Sequence, residues 1–493
     1  MQATRRSFLK NGSVGASLLA MSTACSREDQ ATANDLGTLD AVETAARIRA
    51  GEVSAEEVTK AAIGRAKKVE PQINAIAAKT YKSAVKDAAA ATGPWGGVPT
   101  FVKDLFEVNG VRTAFGSRAF PGYKGKSQNP VIDALLGLGV VSLGKSTTPE
   151  FGLTATTEPF STGPTRNPWN TDYSSGGSSG GAAALVAARV VPMAHATDGG
   201  GSIRIPASCC GNVGLKPSRN RNPEGRAEPR GLSISVHGVQ SRTVRDTAAF
   251  SHAMEVPAEI SGLAPIGLVT GPSEKRLRIG LVDTSANNHP LDGEVISAAR
   301  DAATLCEGLG HEIVPFKIPV TTQLEDDFLL LWAANAYDAV KYWEQATKLK
   351  RNGFAFEPFT LGLVEHFEAN SGKFDGALAR LLEVIPAYQK LFESVDVILS
   401  PVLGAPPVEI GYLKGDLDYD LLISRLLDYA QFTALYNISG GPAISLPLAM
   451  SKSGLPIGVM FGADIGEEKT LLELSYELEA AAPWAGRIPR VVA

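Results

Sequence analysis

Two clusters of serine and glycine carry the residue types best suited to nucleophilic chemistry. The first, GGSSGG, spans 176–181, and the second, TDGGGSIRIP, spans 197–206. Consecutive glycines permit positive φ and let neighbouring backbone N–H groups turn toward one point, as an oxyanion site requires. Ser202 follows three glycines and is a candidate nucleophile, while Ser178 and Ser179 could cap the helix that follows them. Each cluster alone is also typical of a plain loop, and neither has the GxxxxGK[ST] or GxGxxG spacing of a phosphate-binding loop.

A nucleophilic serine needs a base, and the sequence offers two candidates. His195 precedes Ser202 by seven residues. The GxSxG motif in its hydrolase-elbow form is missing, so a Ser-His-Asp triad is an alternative without further support. Lys103 lies inside the apolar run GVPTFVKDLFEVNG, residues 97–110. Burial there lowers the pKa of a lysine toward neutrality, which would make Lys103 a base.

Several stretches of the chain, taken together, resemble the amidase signature family of serine hydrolases. They read GVPTFVKD, LGKSTTPEFG, RNPWN, SSGGSSGGAAALVA, TDGGGSIRIPASCCGNVGLKPS, and FTALYNISGGPAISLPL followed by GLPIGVMFGA. The resemblance runs in order from about residue 36 to the C-terminus. It includes the two Ser-Gly blocks, whose serines at 178 and 202 are 24 residues apart.

The resemblance implies a role for each candidate site residue. Ser202 corresponds to the nucleophile, Ser178 to a bridging serine held in a cis peptide bond, and Lys103 to the base. In that relay the neutral lysine takes the proton of the bridging serine, which takes the proton of the nucleophile. The oxyanion hole corresponds to the N–H groups of Gly199, Gly200, Gly201 and Ser202, and structural support near the site to Ser179, Asp198 and Arg204.

The elements that must position these residues alternate between short apolar runs and helical stretches. Apolar runs bounded by turn formers span residues 140–144, 190–195, 278–283 and 395–401. These runs predict strands, and the periodicity of 293–309 predicts a helix. The alternation indicates an α/β fold, and the resemblance implies a three-layer α/β/α sandwich with a central mixed β-sheet. Near the start, Ser54 and Glu57 have capping-box spacing at the second of two amphipathic helices.

The N-terminus predicts export. TRRSFLK places paired arginines before an apolar stretch too short to span a bilayer, and small residues follow up to Cys25. This order is typical of a twin-arginine signal peptide, here residues 1–24, before a polar spacer over 25–35 and the amidase signature domain over 36–493. We therefore expect the protein in the periplasm or cell envelope. A lipid anchor at Cys25 is the weaker alternative, because the leucine usual three positions earlier is missing.

Composition argues against several other function classes. The 493 residues carry 47 Lys and Arg against 52 Asp and Glu, a net charge of −5 that offers no electrostatic case for a nucleic-acid partner. The cysteines lack CxxC spacing, and the histidines form no HExxH motif. We predict no metal and no cofactor, and we expect Cys209, Cys210 and Cys306 to be small buried residues.

Two regions are candidates for substrate choice. Residues 321–436 hold 17 of the 34 aromatic residues. Helical core packing is the simpler interpretation of this enrichment, and an apolar wall of the substrate pocket is the functional one. The charged loop over 219–246 follows GLKPS, and its counterpart in the family borders the pocket.

We expect an enzyme that hydrolyses a small-molecule carboxylic amide through an acyl-enzyme on Ser202. Peptide, aryl, fatty acyl and cyclic amides all remain open as substrates, and ester hydrolysis is an alternative main activity. An alternative of another class is a catalytically silent ligand-binding relative anchored at the envelope. The intact Lys103, Ser178 and Ser202 argue against it. The resemblance also implies a homodimer, which the sequence itself does not test.

Overall fold

The computed structural model describes residues 36–223, 230–285 and 287–493. Strands within these residues pair in both parallel and antiparallel orientation. The predicted signal peptide and spacer lie outside the described residues. The strands are β1 (Ile76–Lys79), β2 (Pro99–Lys103), β3 (Val141–Ser146), β4 (Arg166–Asn167), β5 (Asn170–Ser174), β6 (Met193–Asp198), β7 (Gly214–Lys216), β8 (Val236–Ser241), β9 (Arg278–Leu281), β10 (Glu312–Pro315), β11 (Val397–Pro401), β12 (Ala443–Met450) and β13 (Pro456–Ala463).

Helices follow or separate most of these strands. The helices are α1 (Ala41–Ala50), α2 (Ala55–Ile73), α3 (Tyr81–Ala88), α4 (Pro130–Gly137), α5 (Gly180–Ala187), α6 (Arg204–Cys210), α7 (Val244–Ala253), α8 (Ala258–Ser261), α9 (Gly293–Gly308), α10 (Thr322–Thr347), α11 (Pro358–Asn370), α12 (Phe374–Leu391), α13 (Tyr419–Tyr429), α14 (Ala434–Ser439) and α15 (Glu468–Ala481). Single 3₁₀ turns occur at Glu150–Gly152 and Ser371–Lys373.

Three groups of strands lie edge to edge. One has the order β10-β9-β11-β13-β12-β7, a second pairs β6 with β8, and a third has the order β1-β3-β2. Val213 and Ser241 exchange backbone hydrogen bonds of 2.9 and 3.2 Å, which connect the first group to β8. The hydroxyl of Thr100 on β2 donates to the carbonyl of Met193 on β6 at 3.1 Å. Parallel pairs such as β2–β3 and antiparallel pairs such as β6–β8 both occur, so the sheet is mixed.

Strand β11 shows why helices cover both faces of the sheet. Val397 and Leu399 belong to an apolar cluster with residues of α9 and α15. Ile398, between them, belongs to a different cluster with residues of α10 to α14. Because successive side chains of a strand point to opposite faces, the two clusters lie on opposite sides of the sheet. The predicted α/β/α arrangement around a mixed sheet is therefore confirmed.

The helices α1 and α2 both begin at a side-chain cap, and the sequence predicts the second of these caps. The side chain of Asp40 accepts a hydrogen bond from the Glu43 amide at the start of α1. Ser54 and Glu57 make both hydrogen bonds of a capping box at the start of α2. Local sequence signals therefore suffice for this part of the fold.

Strand β6 begins later than the apolar run at 190–195 predicts. Pro192 has no backbone N–H to donate to a ladder, and the strand starts directly after it, at Met193. Val190 and Val191 pack instead in a cluster with α2 and α5. The strand ends at Asp198, directly before the three glycines at 199–201.

Two further observations concern the described residues only. None of their helices combines the length and the apolar character that a membrane crossing requires. Cys209, Cys210 and Cys306 are free, buried thiols, as predicted.

Candidate active site

The two Ser-Gly clusters and Lys103 meet at the ends of neighbouring strands. Lys103 is the last residue of β2, and Ser202 lies in the turn between β6 and α6. Ser178 lies in the turn before α5. Because β2 lies beside β6, the sheet brings Lys103 to the turn that carries Ser202.

The Lys103 ammonium group is held by three hydroxyls. Its Nζ lies 2.7 Å from Ser178 Oγ, 2.9 Å from Ser179 Oγ and 3.0 Å from Thr197 Oγ1. The side chain is completely buried. Neutral hydroxyls surround the nitrogen at hydrogen-bond distance, so they orient Nζ without providing a compensating charge.

Burial lowers the pKa of Lys103 to about 7, although the carboxylate of Asp198 acts in the opposite direction. Removal from water destabilises the charged ammonium form, and hydroxyls stabilise it less than bulk water does. A lysine with this pKa is neutral in a large fraction of molecules near pH 7, and a neutral amine can accept a proton. The lowered pKa agrees with the prediction from the apolar run.

The serine turn before α5 packs tightly against its surroundings. The Gly177–Ser178 peptide bond is cis. A Cβ added at Gly177 would lie 2.5 Å from the carbonyl oxygen of Thr156, and at Gly180 2.5 Å from Thr157 Oγ1. Glycine is therefore required at both positions by close packing against Thr156 and Thr157.

Ser179 does not cap α5. It occupies the N-cap position, but its side chain makes no capping hydrogen bond. Its hydroxyl instead donates to the Thr197 carbonyl at 3.2 Å and accepts from the Thr197 amide at 3.3 Å. The capping interpretation is wrong because the hydroxyl is used between α5 and β6, whereas the alternative of a hydrogen bond near the site is correct.

The turn that carries Ser202 is held by the carboxylate of Asp198. Asp198 Oδ1 accepts from the Gly201 amide at 2.7 Å, and Oδ2 accepts from the Ile203 amide at 3.1 Å. Gly201 has φ 134°, and an added Cβ would lie 2.6 Å from Thr433 Oγ1. Only glycine fits this position, because both the conformation and the contact exclude a side chain.

One member of the predicted oxyanion hole needs correction. The single N–H of Gly201 is used by Asp198, so it is not available to an oxyanion beside Ser202. No hydrogen bond from the amides of Gly199, Gly200 and Ser202 to another described residue is found. These three donors remain candidates for an oxyanion hole.

Asp198 and Arg204 form a bidentate ion pair in the interior. Nε and Nη2 of Arg204 each lie 2.9 Å from an Asp198 oxygen, and both side chains have no exposed surface. Burial alone would raise the pKa of Asp198, but the charge and hydrogen bonds of Arg204, together with Asn437, lower it well below its usual range. The carboxylate stays ionised and can accept the turn amides, so the predicted structural support is what the contacts show.

Asn437 and Thr197 are site residues that the sequence reasoning missed. Asn437 Nδ2 donates to the backbone carbonyl of Asp198 at 2.9 Å, and its Oδ1 accepts from Arg204 at 2.7 Å. Asn437 lies inside the stretch FTALYNISGGP that carried part of the resemblance. That stretch was the available signal, but it did not indicate which of its residues reaches the site.

His195 is not placed to act as the base of a Ser-His-Asp triad. Its Nδ1 accepts from the backbone amide of Lys103 at 3.3 Å, and its Nε2 lies 3.1 Å from Nδ1 of His237. Both ring nitrogens are therefore already engaged. Burial, with the nearby His237 and Lys103, lowers the pKa of His195 well below its usual value.

Two cavities meet at Ser202. The larger, about 620 Å³, also contacts Ser178, Thr197 and Gly199. The smaller, about 140 Å³, also contacts Gly200. The residues shared by both cavities are Gly152, Leu153, Ser202 and Trp332.

The two cavities differ in the chemistry of their walls. The smaller is lined mainly by apolar side chains of α10, α13 and α14, such as Phe328 and Leu426. The larger carries polar side chains, including Asn222, His237 and Asn335. Segments on both sides of the undescribed residues 224–229 line the larger cavity, so the charged loop borders the site as expected. The aromatic residues of the region 321–436 have two roles. Phe328 and Trp332 line cavities, whereas Tyr388 and Phe432 belong to the core.

Among the described residues, no group of three or more His, Cys, Asp or Glu side chains could hold a metal ion. The groups that meet at the site are serine hydroxyls, a buried lysine and backbone amides. That combination suits transfer of an acyl group to a hydroxyl.

Comparison with known proteins finds a matching family model and similar sequences that span nearly the whole chain. A family model described as Amidase matches residues 57–472. The chain is 43% identical over 457 residues to the amidase AmiC of Mycobacterium tuberculosis. The match covers 91% of this chain and 96% of that relative. It is 34% identical over 492 residues to the 6-aminohexanoate-cyclic-dimer hydrolase of Paenarthrobacter ureafaciens, covering 92% of this chain and 97% of that enzyme.

A solved structure agrees with these relatives. The structure of 6-aminohexanoate cyclic dimer hydrolase in complex with substrate matches with a TM-score of 0.84 at 30% sequence identity. The match covers 93% of this chain and 100% of that chain. The fold is therefore shared over nearly the whole length.

Proposed function

The chain belongs to the amidase family and hydrolyses carboxylic amide C–N bonds, and we propose that it does so through an acyl-enzyme on Ser202 with Ser178 and Lys103 as its proton relay. The observation that carries the proposal is the 2.7 Å contact between Lys103 Nζ and Ser178 Oγ in a fully buried site.

The relay begins with neutral Lys103. Its Nζ accepts the proton of Ser178, Ser178 accepts the proton of Ser202, and Ser202 Oγ adds to the amide carbonyl carbon. The C–N bond then breaks as the proton returns from Lys103 through Ser178 to the leaving nitrogen. Water repeats the sequence on the acyl-enzyme, so that a carboxylic acid leaves and Ser202 is regenerated.

The negative charge of the tetrahedral intermediate needs donors that are already oriented. The amides of Gly199, Gly200 and Ser202 are suited to this role, because Asp198 and Thr433 hold the turn on its other side. Thr433 Oγ1 donates to the Gly200 carbonyl at 2.5 Å. Fixed backbone donors in a site with little water stabilise an oxyanion without having to reorient during the reaction.

We further propose that the substrate has an apolar part, which occupies the smaller cavity, and a more polar part, which occupies the larger one. Support comes from the apolar walls of the 140 Å³ cavity beside Ser202. Relatives named 6-aminohexanoate-cyclic-dimer hydrolase and acylamidase, the latter from Rhodococcus erythropolis, fit a substrate with aliphatic or acyl character.

Export through a twin-arginine signal peptide is proposed from Arg5 and Arg6 and the apolar stretch that follows them. The test is fractionation of cells that make the protein with Arg5→Lys and Arg6→Lys together. We expect the wild type in the periplasm or envelope and the variant in the cytoplasm. An unchanged distribution would contradict the proposal. Extraction by detergent, together with the mass of the mature N-terminus, distinguishes a lipid anchor at Cys25 from simple cleavage.

The relay is tested with a panel of amides: an aryl anilide, a peptide amide, a fatty amide and a cyclic diamide. Wild type is compared with Ser202→Ala, Ser178→Ala and Lys103→Ala, and with Ser83→Ala, an exposed serine, as the matched control. A fluorophosphonate probe followed by peptide mass mapping reports which serine is activated. We expect labelling of Ser202, and activity in the wild type and the Ser83 variant but not in the other three variants. Activity that survives Ser202→Ala would refute the nucleophile assignment.

The apolar cavity is tested at Ala434, which lines it. Ala434→Phe should fill the cavity and reduce kcat/KM for substrates with a long apolar part much more than for acetyl amides. Ala434→Ser is the matched control, because it changes the polarity of the wall with little change in volume. Equal losses in the two variants, or equal losses for both substrates, would contradict the proposed use of the cavity.

A further inference from the structure

The turn that carries Ser202 passes from one cavity to the other. Gly199 lines the larger cavity, Gly200 lines the smaller one, and Ser202 lines both. The indole ring of Trp332 lies against this turn: a Cβ added at Gly199 or Gly200 would lie 3.5 or 3.6 Å from its Cζ3 atom. Trp332 Nε1 donates to the Leu153 carbonyl at 3.1 Å, and both residues line both cavities. A substrate carbonyl that reaches Ser202 Oγ therefore lies at the junction of the two cavities.

The proton relay faces the larger cavity. Ser178 and Thr197, whose hydroxyls lie 2.7 and 3.0 Å from Lys103 Nζ, both line that cavity. Neither is among the described residues that line the smaller cavity. A substrate atom that takes a proton from Ser178 Oγ therefore does so on the side of the larger cavity.

The geometry of an amide then assigns its two halves to the two cavities. The carbonyl carbon has three substituents that point in three directions: the oxygen, the nitrogen and the first carbon of the acyl chain. Ser178 returns the proton to the leaving nitrogen, so the nitrogen must lie within hydrogen-bond distance of Ser178 Oγ, on the side of the larger cavity. The oxygen points to the amides of the Ser202 turn. The direction left for the acyl chain leads into the smaller cavity.

The walls and the size of the smaller cavity suit a short apolar chain. Side chains such as Phe328 and Leu426 surround a volume of about 140 Å³. Besides Ser202, the polar side chains that line it already make hydrogen bonds within the protein: Thr154, Glu325 and Gln431. An apolar cavity of about 150 Å³ takes one benzene molecule, which has six carbons. The smaller cavity therefore accommodates an acyl group of about the same size.

The larger cavity suits the amine half. Its volume is about 620 Å³, and its wall includes the polar side chains of Asn335 and Asp338 on α10. Tyr342, further along the same helix, lines the cavity and is 62% exposed, so the cavity reaches the protein surface there. A released amine can thus hydrogen-bond to this wall and leave to solvent without passing the acyl chain.

We propose that the smaller cavity binds the acyl half of the substrate, about six carbons long and apolar, and that the larger cavity binds the leaving amine. The substrate class is the amide of a short apolar acid with a polar amine. The bond from Ser202 Oγ to the acyl carbon forms, the C–N bond breaks, and the nitrogen takes the proton of Ser178. The acyl-enzyme then holds only the group in the smaller cavity. This inference rests on the proposed function, which supplies the acyl-enzyme and the relay.

Reversed amides test the direction of binding without any change in the protein. One member of the pair joins hexanoic acid to methoxypropylamine, and the other joins methoxybutanoic acid to pentylamine. These isomers have the same two ends and differ only in which end carries the carbonyl. We expect wild type to cleave the hexanoyl amide with a kcat/KM at least about 10-fold higher, because the reversed amide places an ether in the apolar cavity. Equal values, or a preference for the pentylamine amide, would overturn the proposal.

The length of the acyl half is tested with a series from acetyl to decanoyl on the same amine. We expect kcat/KM to rise about 4-fold for each added methylene up to about hexanoyl, because each one is buried against apolar walls. Beyond that length no further rise is expected, since the cavity is filled. A series without any rise, or a rise that continues to decanoyl, would contradict the proposed acyl cavity.

The same substitution in each cavity provides a crossed control. Ala434 lines the smaller cavity and Ala339 the larger one. Ala434→Phe should reduce the hexanoyl-to-acetyl ratio of kcat/KM about 10-fold and leave the ranking of amines on a constant acyl group unchanged. Ala339→Phe should change the ranking of amines and leave the hexanoyl-to-acetyl ratio unchanged. Any other pattern would overturn the assignment of the two cavities.

Ser202→Ala and fluorophosphonate labelling separate the two ways of failing. If Ser202→Ala still cleaves the hexanoyl amide, or if the probe does not label Ser202 in the wild type, the proposed catalytic function fails. If Ser202 is labelled and the wild type cleaves neither isomer or does not prefer the hexanoyl amide, only the assignment of the cavities is refuted. Should a phenylalanine variant fail to fold, the reversed amides and the acyl series in the wild type decide the question.

Discussion

At the scale of single residues, the site contains two buried ionisable groups, Lys103 and Asp198, whose pKa values are set in different ways. Lys103 is buried among hydroxyls, and this burial lowers its pKa to about 7 even though Asp198 acts in the opposite direction. Asp198 is equally buried but is paired with Arg204, so its carboxylate stays charged. The same sheet end therefore holds a base that can be neutral and an anion that organises the nucleophile turn.

The pH dependence of the reaction should follow Lys103. Its base form is the neutral amine, so kcat/KM should rise with pH and level off above about pH 7. Lys103→Met should lower kcat/KM by about 10²–10⁴-fold, because general base catalysis is lost. A pH profile from initial rates measures both effects. Lys103→Arg is the control for charge, since a guanidinium stays protonated and should not restore activity. A profile without an inflection near neutrality would contradict the assignment of the base.

Asp198→Asn should destabilise the protein and the turn together. The substitution leaves the buried guanidinium of Arg204 without a counter-charge, which typically costs about 3–5 kcal/mol of unfolding free energy. Denaturant unfolding measures this loss, and probe labelling of Ser202 should slow in the molecules that remain folded. Glu56→Gln breaks an ion pair whose side chains are 60% and 46% exposed and serves as the control, with a loss of about 0–1 kcal/mol. Similar losses in the two variants would show that the ion pair is not important for stability.

At the scale of elements, helix α10 forms a wall of both cavities. Phe328 lines the smaller cavity, Asn335 the larger one, and Trp332 both. The first turn of α10 is tied to α13 by His289, whose ring nitrogens lie 2.8 Å from Glu325 and 2.9 Å from Asp428. An imidazole with two carboxylate partners donates from both nitrogens only when it is protonated. The position of the wall is thus connected to the charge of one histidine.

His289 should stabilise this contact at low pH and lose the effect as pH rises. Burial alone would lower the pKa of His289, but the hydrogen bonds to Glu325 and Asp428 outweigh it and raise the pKa. A raised pKa in the folded state gives stabilisation that is complete below the unfolded value of about 6.5 and is lost as pH rises through the folded value. His289→Gln should therefore lower Tm more at pH 6 than at pH 9. Thermal unfolding at both values measures the difference, with His252→Gln as the surface control. A loss that is equal at both pH values would argue against a charged His289.

At the scale of the whole molecule, hydrogen bonds connect elements that are far apart in the sequence, from α1 to α14. The amides of Ala41 and Val42, at the start of α1, donate to Asp246 of α7 at 2.8 and 3.0 Å. Asn437 on α14 contacts Asp198 at a separation of 239 residues. Trp332 Nε1 donates to the carbonyl of Leu153 at 3.1 Å across 179 residues. The site therefore depends on contacts between distant parts of the chain.

Removal of residues 1–35 should leave the folded enzyme intact. A chain that begins at residue 36 keeps the Asp246 contacts, so we expect the Tm and kcat/KM of the full-length protein. A chain that begins at residue 55 is the matched control. It lacks α1, leaves the buried Asp246 carboxylate without these donors and should lose about 1–3 kcal/mol or more of stability. Differential scanning calorimetry compares the three proteins. Destabilisation by the shorter deletion would show that the N-terminal segment packs on the enzyme.

The sequence by itself determined the features that depend on near neighbours and on motif content. The α2 capping box, the alternation of strands and helices, and the burial of Lys103 in an apolar run were predicted, and the structure agrees. The motifs also indicated the family, which the comparisons confirm. These features could be predicted because a cap or an apolar run is set by residues a few positions apart.

Tertiary structure decided which groups meet. The amide of Gly201 is used by Asp198, and Ser179 contacts Thr197 instead of capping α5. His195 faces His237 and is not placed as a base, and Asn437 completes the support of the turn. Each of these outcomes depends on the orientation of a side chain after strands and helices distant in sequence have packed. Local sequence specifies that a donor or acceptor is present, but its partner is selected only when the packed elements leave one group within hydrogen-bond distance.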